Sequence, residues 1–310
     1  MEVRRVVSVV IPVYFNEHSL PGLFDELKEV ERQLQSRGVG LELIFVDDGS
    51  GDVSLKTLLD YKARRPQTKV LKHTRNFGAG QAIKSGLRHV TGDCFLFLAA
   101  DSQDPPDLIV QTVDRWLDGK KYVVATRESR QDPLISKFFS WIYYKLVAMF
   151  VISDYPRGGF DVALMDKSLL PHMLKAGKNI NLNLFGYWLG YKPELIPYKR
   201  LRRSHGKSRW TPTKRVKLFM DSLLGFSVVP MRVISMIGLI VAVLSLGFGV
   251  SVVVSALLGD KAVPGFAALA TIISFLLGLI VVMLGVIGEY LWRIADETNQ
   301  RPDSVVDEVF

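Results

Sequence analysis

The chain has 310 residues, a formal net charge of +8 and a mean hydropathy of +0.20. That length suits one large domain or two smaller ones, and the positive hydropathy does not suit a protein that is soluble throughout. The single cysteine, Cys94, excludes an internal disulfide. Its place in an apolar run predicts a buried thiol in a reducing compartment.

Strand and helix patterns alternate along the first hundred residues. The run "RRVVSVVIPVY" is β-branched and nearly continuous, as in a strand that is buried on both faces. Three more strands are predicted in "LELIFVDDGSGD", "TKVLKHTRN" and "DCFLFLAAD", with helices in the segments between them. The first helix places apolar residues at helical spacing: Leu20, Leu23, Phe24, Leu27, Val30 and Leu34. This alternation predicts an α/β fold, a mostly parallel sheet with helices on both faces.

The predicted strands end in polar segments. In sheets of this kind, ligands bind at the carboxyl ends of the strands, and here those ends read "PVYFNE", "VDDGS", "TRNFGAG" and "ADSQD". Each segment alone could be an ordinary turn, but four in succession predict a ligand site. Neither G-x-G-x-x-G after the first strand nor a Walker A pattern is present, which disfavours dinucleotide-binding dehydrogenases and P-loop enzymes. The histidines lack metal-ligand spacing, so each is interpreted as an isolated residue: His18, His73, His89, His172 and His205.

Two long uncharged runs follow the predicted α/β domain. Residues 233–259 and 262–288 contain no Asp, Glu, Lys or Arg. Each run is long enough to cross a bilayer as a helix, which predicts a transmembrane hairpin with spans at 232–259 and 264–290. The alternative is a pair of helices buried in a large soluble core.

Basic residues cluster before the first span, whereas the connecting loop carries one lysine, Lys261. The positive-inside rule then predicts a membrane protein with both termini in the cytoplasm and the loop outside. Beside a span, such a cluster is expected to meet anionic lipid and not nucleic acid. Glycines within the spans permit the close helix packing of a homo-oligomer.

The motifs "VVSVVIPVYFNE", "LIFVDDGSGD", "HTRNFGAGQA" and "AADSQDPPD" resemble, in this order, family 2 of the inverting glycosyltransferases. With the two spans and "GVIGEYLWRI", the whole chain resembles the polyprenyl-phosphate glycosyltransferases. These include the bactoprenol glucosyltransferases and, more distantly, dolichol-phosphate mannose synthase. The resemblance implies a Rossmann-like GT-A catalytic domain over residues 1–210, on the cytoplasmic face of a bacterial-type inner membrane. The basic, amphipathic pattern of residues 211–231 predicts a juxtamembrane helix, and residues 291–310 are expected to form a cytoplasmic tail.

The resemblance also implies a reaction. A hexose, with glucose favoured, would pass from a UDP-sugar to undecaprenyl or another polyprenyl phosphate, giving a lipid-linked sugar. UDP-galactose, UDP-GlcNAc and GDP-mannose stay open as other donors. The resemblance assigns the nucleotide pocket to Pro12, Tyr14, Asn16 and Glu17, and the contacts with base or ribose to Asp47 and Asp48. It assigns the pocket floor to Arg75 and Gly78. The phosphates of donor or acceptor would be bound by Arg202, Arg203, Lys207 and Arg209.

The acidic loop departs from its family. The resemblance implies D-x-D-x-Q-D here, but Ala99 stands at the first aspartate position. Asp101 and Gln103 remain as the expected ligands of Mg²⁺ or Mn²⁺ beside the donor diphosphate, since these hard cations prefer oxygen ligands. Asp104 is expected to cap the helix that begins at Pro105–Pro106. Because of Ala99, an inactive pseudo-glycosyltransferase scaffold is the alternative.

Asp161 lies in "PRGGFDVALMD", at the position of the family's catalytic carboxylate. The acceptor, a phosphate monoester, has a second pKa of about 6 and is largely ionised near neutral pH. A general base is therefore less necessary than for a sugar hydroxyl. Asp161 is expected to position the acceptor or to remove its last proton. The alternative is an exposed loop aspartate without a role.

Overall fold

The computed structural model describes residues 5–127, 134–152, 155–156, 159–200, 212–258 and 265–310. The chain forms two compact units. One comprises Met1–Gly225 together with Pro302–Phe310, and the other is Phe226–Arg301. The second unit is therefore inserted, in sequence, between two parts of the first.

The first unit is built on one sheet, whose strands within the described residues are ordered β7-β5-β6-β4-β1-β2-β3-β8. The pairings show that β6 and β8 run opposite to the other six strands. The predicted mostly parallel α/β sheet is thus confirmed. The strands are β1 Arg5–Val13, β2 Val39–Asp47, β3 Lys69–His73, β4 Cys94–Phe97, β5 Tyr122–Arg127, β6 Phe160–Asp166, β7 Glu194–Tyr198 and β8 Val306–Val309.

The helices of this unit are α1 Leu20–Gln35, α2 Ser54–Arg64, α3 Ala79–Leu87, α4 Asp107–Leu117, α5 Leu134–Phe150, α6 Leu170–Leu174, α7 Leu182–Trp188 and α8 Pro212–Leu224. All six apolar residues predicted for the buried face of α1 are buried. Strand β1 lies between β2 and β4, and its Val7, Val9 and Val10 have no exposed surface, as its continuous apolar pattern predicts. Cys94 is likewise buried in β4, and burial raises the pKa of its thiol.

Helix α3 crosses the sheet unusually closely at Gly86. A Cβ placed there would lie 2.3 Å from Cγ1 of Val10 in β1 and 3.2 Å from Cγ2 of Val46 in β2. At Gly80, one end of the same helix, an added Cβ would meet no atom within 4 Å. Because Gly86 carries only hydrogen where other residues carry Cβ, α3 can lie this close to β1 and β2, the strands that end in polar segments.

The second unit contains α9 Val229–Leu257 and α10 Phe266–Thr298. Both are long and apolar enough to cross a membrane, over Val229–Ser251 and Phe275–Thr298, and neither stretch is buried. The helix bounds differ from the predicted ones. Helix α8 stops at Leu224, so the segment predicted as one helix over 211–231 is interrupted, and Pro230 lies in the first turn of α9, where its missing N–H is not needed.

Residues 291–310, predicted as a tail, form regular secondary structure over much of their length. Helix α10 continues through its first part to Thr298, and the last part pairs with the sheet as β8. Strand β8 is antiparallel to β3, with Leu71 opposite Val309 and Lys72 opposite Glu308. Sequence reasoning missed this strand because "VVDEV" is short and half acidic, and its partner lies more than two hundred residues earlier.

The close approach of α3 predicts opposite effects for two glycine replacements in one helix. Gly86→Ala should destabilise the protein by about 1–3 kcal/mol, because the new methyl overpacks against Val10. Gly80→Ala should be neutral or stabilising by up to about 1 kcal/mol, because alanine favours the helix and has space. Thermal unfolding of the detergent-purified variants measures both. Equal midpoints for the two would contradict the close approach.

Candidate active site

The strand directions bring the polar segments to one edge of the sheet. Strands β1 to β5 and β7 end at this edge, and the antiparallel strands β6 and β8 begin there. Val13 pairs with Asp47, and Asp47 pairs with Lys72, so the segments that follow β1, β2 and β3 start side by side. This edge is the candidate active site.

Asn16 joins the segment after β1 to the acidic loop after β4. Its Oδ1 accepts the Tyr14 amide at 2.9 Å, and its Nδ2 donates to the Ala100 carbonyl at 3.4 Å. Ser19 Oγ donates to the same carbonyl at 2.7 Å. Phe15, between Tyr14 and Asn16, adopts a left-handed φ of 55°. The predicted pocket residues Tyr14 and Asn16 therefore lie in a loop that is tied to the predicted metal loop.

Glu17 and Pro12 both make contacts that stabilise the fold, in addition to the ligand contacts that the resemblance implies. Glu17 Oε2 accepts the amide of Val53, the N-cap of α2, at 3.1 Å. A carboxylate at a helix N-terminus is favourable because it meets unpaired N–H groups and the positive end of the helix dipole. Pro12 lies within β1, paired with Val46. Both residues border the edge, and their predicted roles toward a nucleotide stay predictions.

Asp47 and Asp48 are both almost fully buried at the end of β2. Asp47 Oδ2 accepts the Ser50 amide at 3.2 Å, while its Oδ1 accepts no hydrogen bond from the described residues. Burial raises the pKa of the Asp47 carboxyl. A buried carboxylate oxygen without a donor is costly unless a ligand supplies one, so Asp47 is suited to a ligand hydroxyl or N–H.

Asp48 organises the turn after β3. Its Oδ1 accepts the Phe77 amide and a ring nitrogen of His73, each at 2.8 Å, and its Oδ2 accepts the Gly78 amide at 2.8 Å. Gly78 needs its left-handed φ of 98°. The predicted floor residues Arg75 and Gly78 are thus held beside Asp48, and the Arg75 guanidinium lies 4.4 Å from the Phe77 ring centre.

The acidic loop presents two oxygen-bearing side chains in one tight turn. Ser102 has a left-handed φ of 52°, and the Gln103 amide donates to Asp101 Oδ1 at 3.3 Å. Asp101 and Gln103 suit Mg²⁺ or Mn²⁺, which are bound through one or two protein oxygens with waters and phosphate oxygens. No group of three or more His, Cys, Asp or Glu side chains is placed for a metal ion among the described residues.

The expectation that Asp104 caps a helix is wrong. Helix α4 begins at Asp107, its N-cap residue is Pro106, and no side chain at the N-cap accepts a hydrogen bond from the helix amides. Asp104 is buried, and its Oδ1 accepts the Tyr198 hydroxyl at 2.6 Å and lies 3.5 Å from Arg200 Nε. Burial, together with this carboxylate, raises the pKa of Tyr198. A buried carboxylate is stabilised more by a phenol and a guanidinium than by exposed helix amides.

Asp161 lies at the start of β6 and is not an isolated loop residue. Its Oδ2 forms ion pairs with Arg127, the last residue of β5, and with Arg200 Nη2 at 3.6 Å. The sequence analysis assigned no role to Arg127, Tyr198 or Arg200. Their signal was present, since Arg127 ends β5 and Tyr198 ends β7 at the same edge. The predicted phosphate ligands Arg202, Arg203, Lys207 and Arg209 lie outside the described residues and stay predictions.

The burial of Asp47 predicts a pH-dependent stability difference. Because its pKa is raised in the folded state, its contribution to stability is full below about pH 4 and is lost as the pH rises through the folded pKa. The free energy of unfolding of Asp47→Asn should therefore rise relative to wild type between about pH 4 and pH 7. Denaturant unfolding in detergent measures it, with exposed Asp25→Asn as control. A constant difference across this range would contradict it.

The chain is similar to known proteins along most of its length. The family model for glycosyl transferase family 2 matches residues 8–170. A glycosyltransferase of Synechocystis sp., sll0501, is 33% identical over 307 residues, which cover 98% of this chain and 95% of that protein. The prophage bactoprenol glucosyl transferase homolog of Escherichia coli K12 is 30% identical over 306 residues, covering 98% and 99%.

The bactoprenol glucosyl transferase of Shigella phage SfX is 29% identical over 96% of this chain and 97% of its own. Among solved structures, a mannosyltransferase from Pyrobaculum calidifontis in complex with GDP-Man and Mn²⁺ is 16% identical, covering 94% of this chain and 86% of that chain, with a TM-score of 0.48. A family model that covers more than half of the chain, and a relative alike along nearly all of it, show that this protein is a glycosyltransferase of family 2 with the GT-A fold.

Proposed function

We propose that this protein is a membrane-anchored inverting hexosyltransferase, which moves a hexose, with glucose favoured, from a UDP-sugar to a polyprenyl phosphate. The observation that carries the proposal is the convergence of the predicted donor residues at one sheet edge in a family 2 chain. Relatives that are named bactoprenol glucosyl transferases match it over almost its whole length, which supports a lipid carrier as acceptor.

The donor would occupy the edge over β1, β2 and β3. Asp47 offers an unpaired buried oxygen to a ribose hydroxyl or a base N–H, and Arg75 lies beside the turn that Asp48 holds. The diphosphate would then reach the acidic loop. Asp101 and Gln103 would hold Mg²⁺ or Mn²⁺, which would offset the negative charge of the diphosphate leaving group.

The acceptor phosphate would bind over β5, β6 and β7. Arg127 and Arg200 converge there on Asp161, and two guanidinium groups match the geometry of a phosphate. Asp161 orients both arginines through its ion pairs. A phosphate monoester that is already largely ionised can attack the anomeric carbon without a strong base. We therefore assign Asp161 mainly to holding the acceptor's partners in place.

The pairing of β8 with β3 supports an even number of membrane crossings. Residues before α9 and after α10 belong to the same hydrogen-bonded sheet, so both must lie on one side of any membrane that α9 and α10 cross. The excess of Lys and Arg before α9 then favours the cytoplasmic side. This side is also where nucleotide sugars would reach the sheet edge.

A donor screen tests the proposal. Purified protein is mixed with Mg²⁺ or Mn²⁺, undecaprenyl phosphate and, separately, UDP-glucose, UDP-galactose, UDP-GlcNAc and GDP-mannose. Mass spectrometry of the lipid fraction should show one hexosyl phosphate product, with UDP-glucose as the preferred donor. Absence of product with every donor would reject the transferase. Metal-dependent nucleotide binding without product would instead favour the scaffold that Ala99 raises.

The acidic loop gives a matched pair of charge-removing variants. Asp101→Asn should weaken metal-dependent UDP binding and lower kcat/KM by about tenfold or more, because a hard cation loses its anionic ligand. Asp107→Asn removes an equal charge from the exposed first turn of α4 and should change both by less than about twofold. Calorimetric titration of UDP with and without Mg²⁺ measures the difference. Equal effects of the two variants would remove Asp101 from the metal site.

A further inference from the structure

The segment from Pro302 to Phe310, here called the C-terminal segment, is bound to the edge of the catalytic sheet. Beyond the β3–β8 pairing, Phe310 and Val70 exchange backbone hydrogen bonds of 2.8 and 3.3 Å. The Thr74 amide donates to the Val305 carbonyl at 3.1 Å. Thr74 follows β3 directly and precedes the predicted donor residue Arg75. The part of the segment just before β8 therefore lies at the candidate active site.

A buried ion pair fixes the segment next to helix α3. Lys84 is 3% exposed, and its Nζ donates to Asp303 Oδ2 at 2.6 Å and to the Ala176 carbonyl at 2.5 Å. A buried ammonium is strongly destabilising when it lacks a counter-charge. Asp303 supplies this charge from the other end of the chain. Without the segment, the buried charge of Lys84 would lose its carboxylate partner. The segment therefore does more than add a strand to the edge of the sheet.

A line of side-chain hydrogen bonds runs from this segment to Asp48. Ser304 Oγ lies 2.7 Å from Ser85 Oγ, which lies 2.9 Å from His73 Nε2, and His73 Nδ1 lies 2.8 Å from Asp48 Oδ1. All four side chains are buried. Since Asp48 already accepts two backbone amides, we assign the proton to Nδ1 of His73. Nε2 then accepts from Ser85, and Ser85 accepts from Ser304.

This line decides what Asp48 can offer to a ligand. A carboxylate has about four acceptor positions, and Phe77, Gly78 and His73 use three of them. One position on Oδ2 is left. His73 also prevents the carboxylate from rotating, because its ring is locked on its other side by Ser85. The direction of the remaining acceptor is therefore set through His73.

We propose that His73 is a positioning residue for the nucleoside end of the donor site, and that the C-terminal segment holds it there through Ser304. The inference rests on the proposed function, with Asp48 at the base or ribose of the donor as the family resemblance implies. It assigns a role in donor binding to residues that follow both candidate membrane spans in the sequence. It also gives His73, interpreted from the sequence as an isolated histidine, a specific partner on each ring nitrogen.

The test uses full-length protein in detergent and UDP as the probe, titrated calorimetrically with and without Mg²⁺. His73→Leu removes both hydrogen bonds and should weaken UDP binding about tenfold or more. Ser304→Ala removes only the distal contact and should weaken it about two- to fivefold. His73→Asn keeps a donor near Asp48 and should restore binding to within about threefold of wild type. Glu308→Gln, in the same C-terminal segment but bonded to half-buried Lys72, should change nothing.

A further readout separates positioning from general loosening of the fold. If His73 acts only at the nucleoside end, the factor by which Mg²⁺ strengthens UDP binding should be the same in His73→Leu as in wild type. A structural role would reduce that factor and lower the thermal midpoint in parallel. Unchanged UDP affinity in His73→Leu and Ser304→Ala would overturn the inference. Failure of the wild type to bind UDP or GDP would reject the proposed function itself.

Discussion

The site depends on the common direction of six strands. In a parallel sheet each strand exposes its last carbonyl and the following side chains at one edge, and the next strand does the same less than 5 Å away. The buried, β-branched β1 is central to this arrangement, since β2 and β4 pair on its two sides. The two reversed strands extend the principle, because β6 and β8 deliver their first residues to the same edge.

Charged side chains at this edge form small sets that are joined by ion pairs and hydrogen bonds. Asp104 meets Tyr198 and Arg200, Asp161 meets Arg127 and Arg200, and Asp48 meets backbone amides and His73. Arg200 links the first two sets. Each set brings a carboxylate together with donors or cations that lower the cost of its burial. Oδ1 of Asp47 and Oδ2 of Asp104 nevertheless accept no hydrogen bond from the described residues, which is consistent with a site that is completed by a ligand.

Local pattern was sufficient for much of the fold. The apolar face of α1, the buried β1 and the order of the polar strand ends all follow from spacing within ten to twenty residues, and these were predicted from the sequence. Contacts between distant segments were not. The partners of His73 lie 25 residues before it and 12 after it, and the line then reaches a serine 219 residues beyond Ser85. No periodicity encodes such pairs.

The error at Asp104 has the same origin. A proline-flanked aspartate before a helix fits a cap by local rules, but Tyr198, 94 residues later, bonds to its carboxylate. Arg127 and Arg200 could have been found by applying the strand-end rule to every strand. Arg200 belongs to the basic cluster before the first span, and the predicted contact of that cluster with anionic lipid accounted for its charge without a role in the site. The ion pairs of Asp161 with both arginines join residues 34 or more positions apart, which no local pattern reveals.

The order of synthesis gives the β3–β8 pairing a further consequence. Strand β8 is translated after α9 and α10, so a nascent chain that has completed β1 to β7 still lacks the counter-charge of Lys84 and the serine that reaches His73. Its sheet keeps an unpaired edge at β3 until the helical hairpin has been made. The first unit can therefore reach its final form only after α9 and α10 have been synthesised, so completion of its sheet would follow the appearance of both candidate membrane spans.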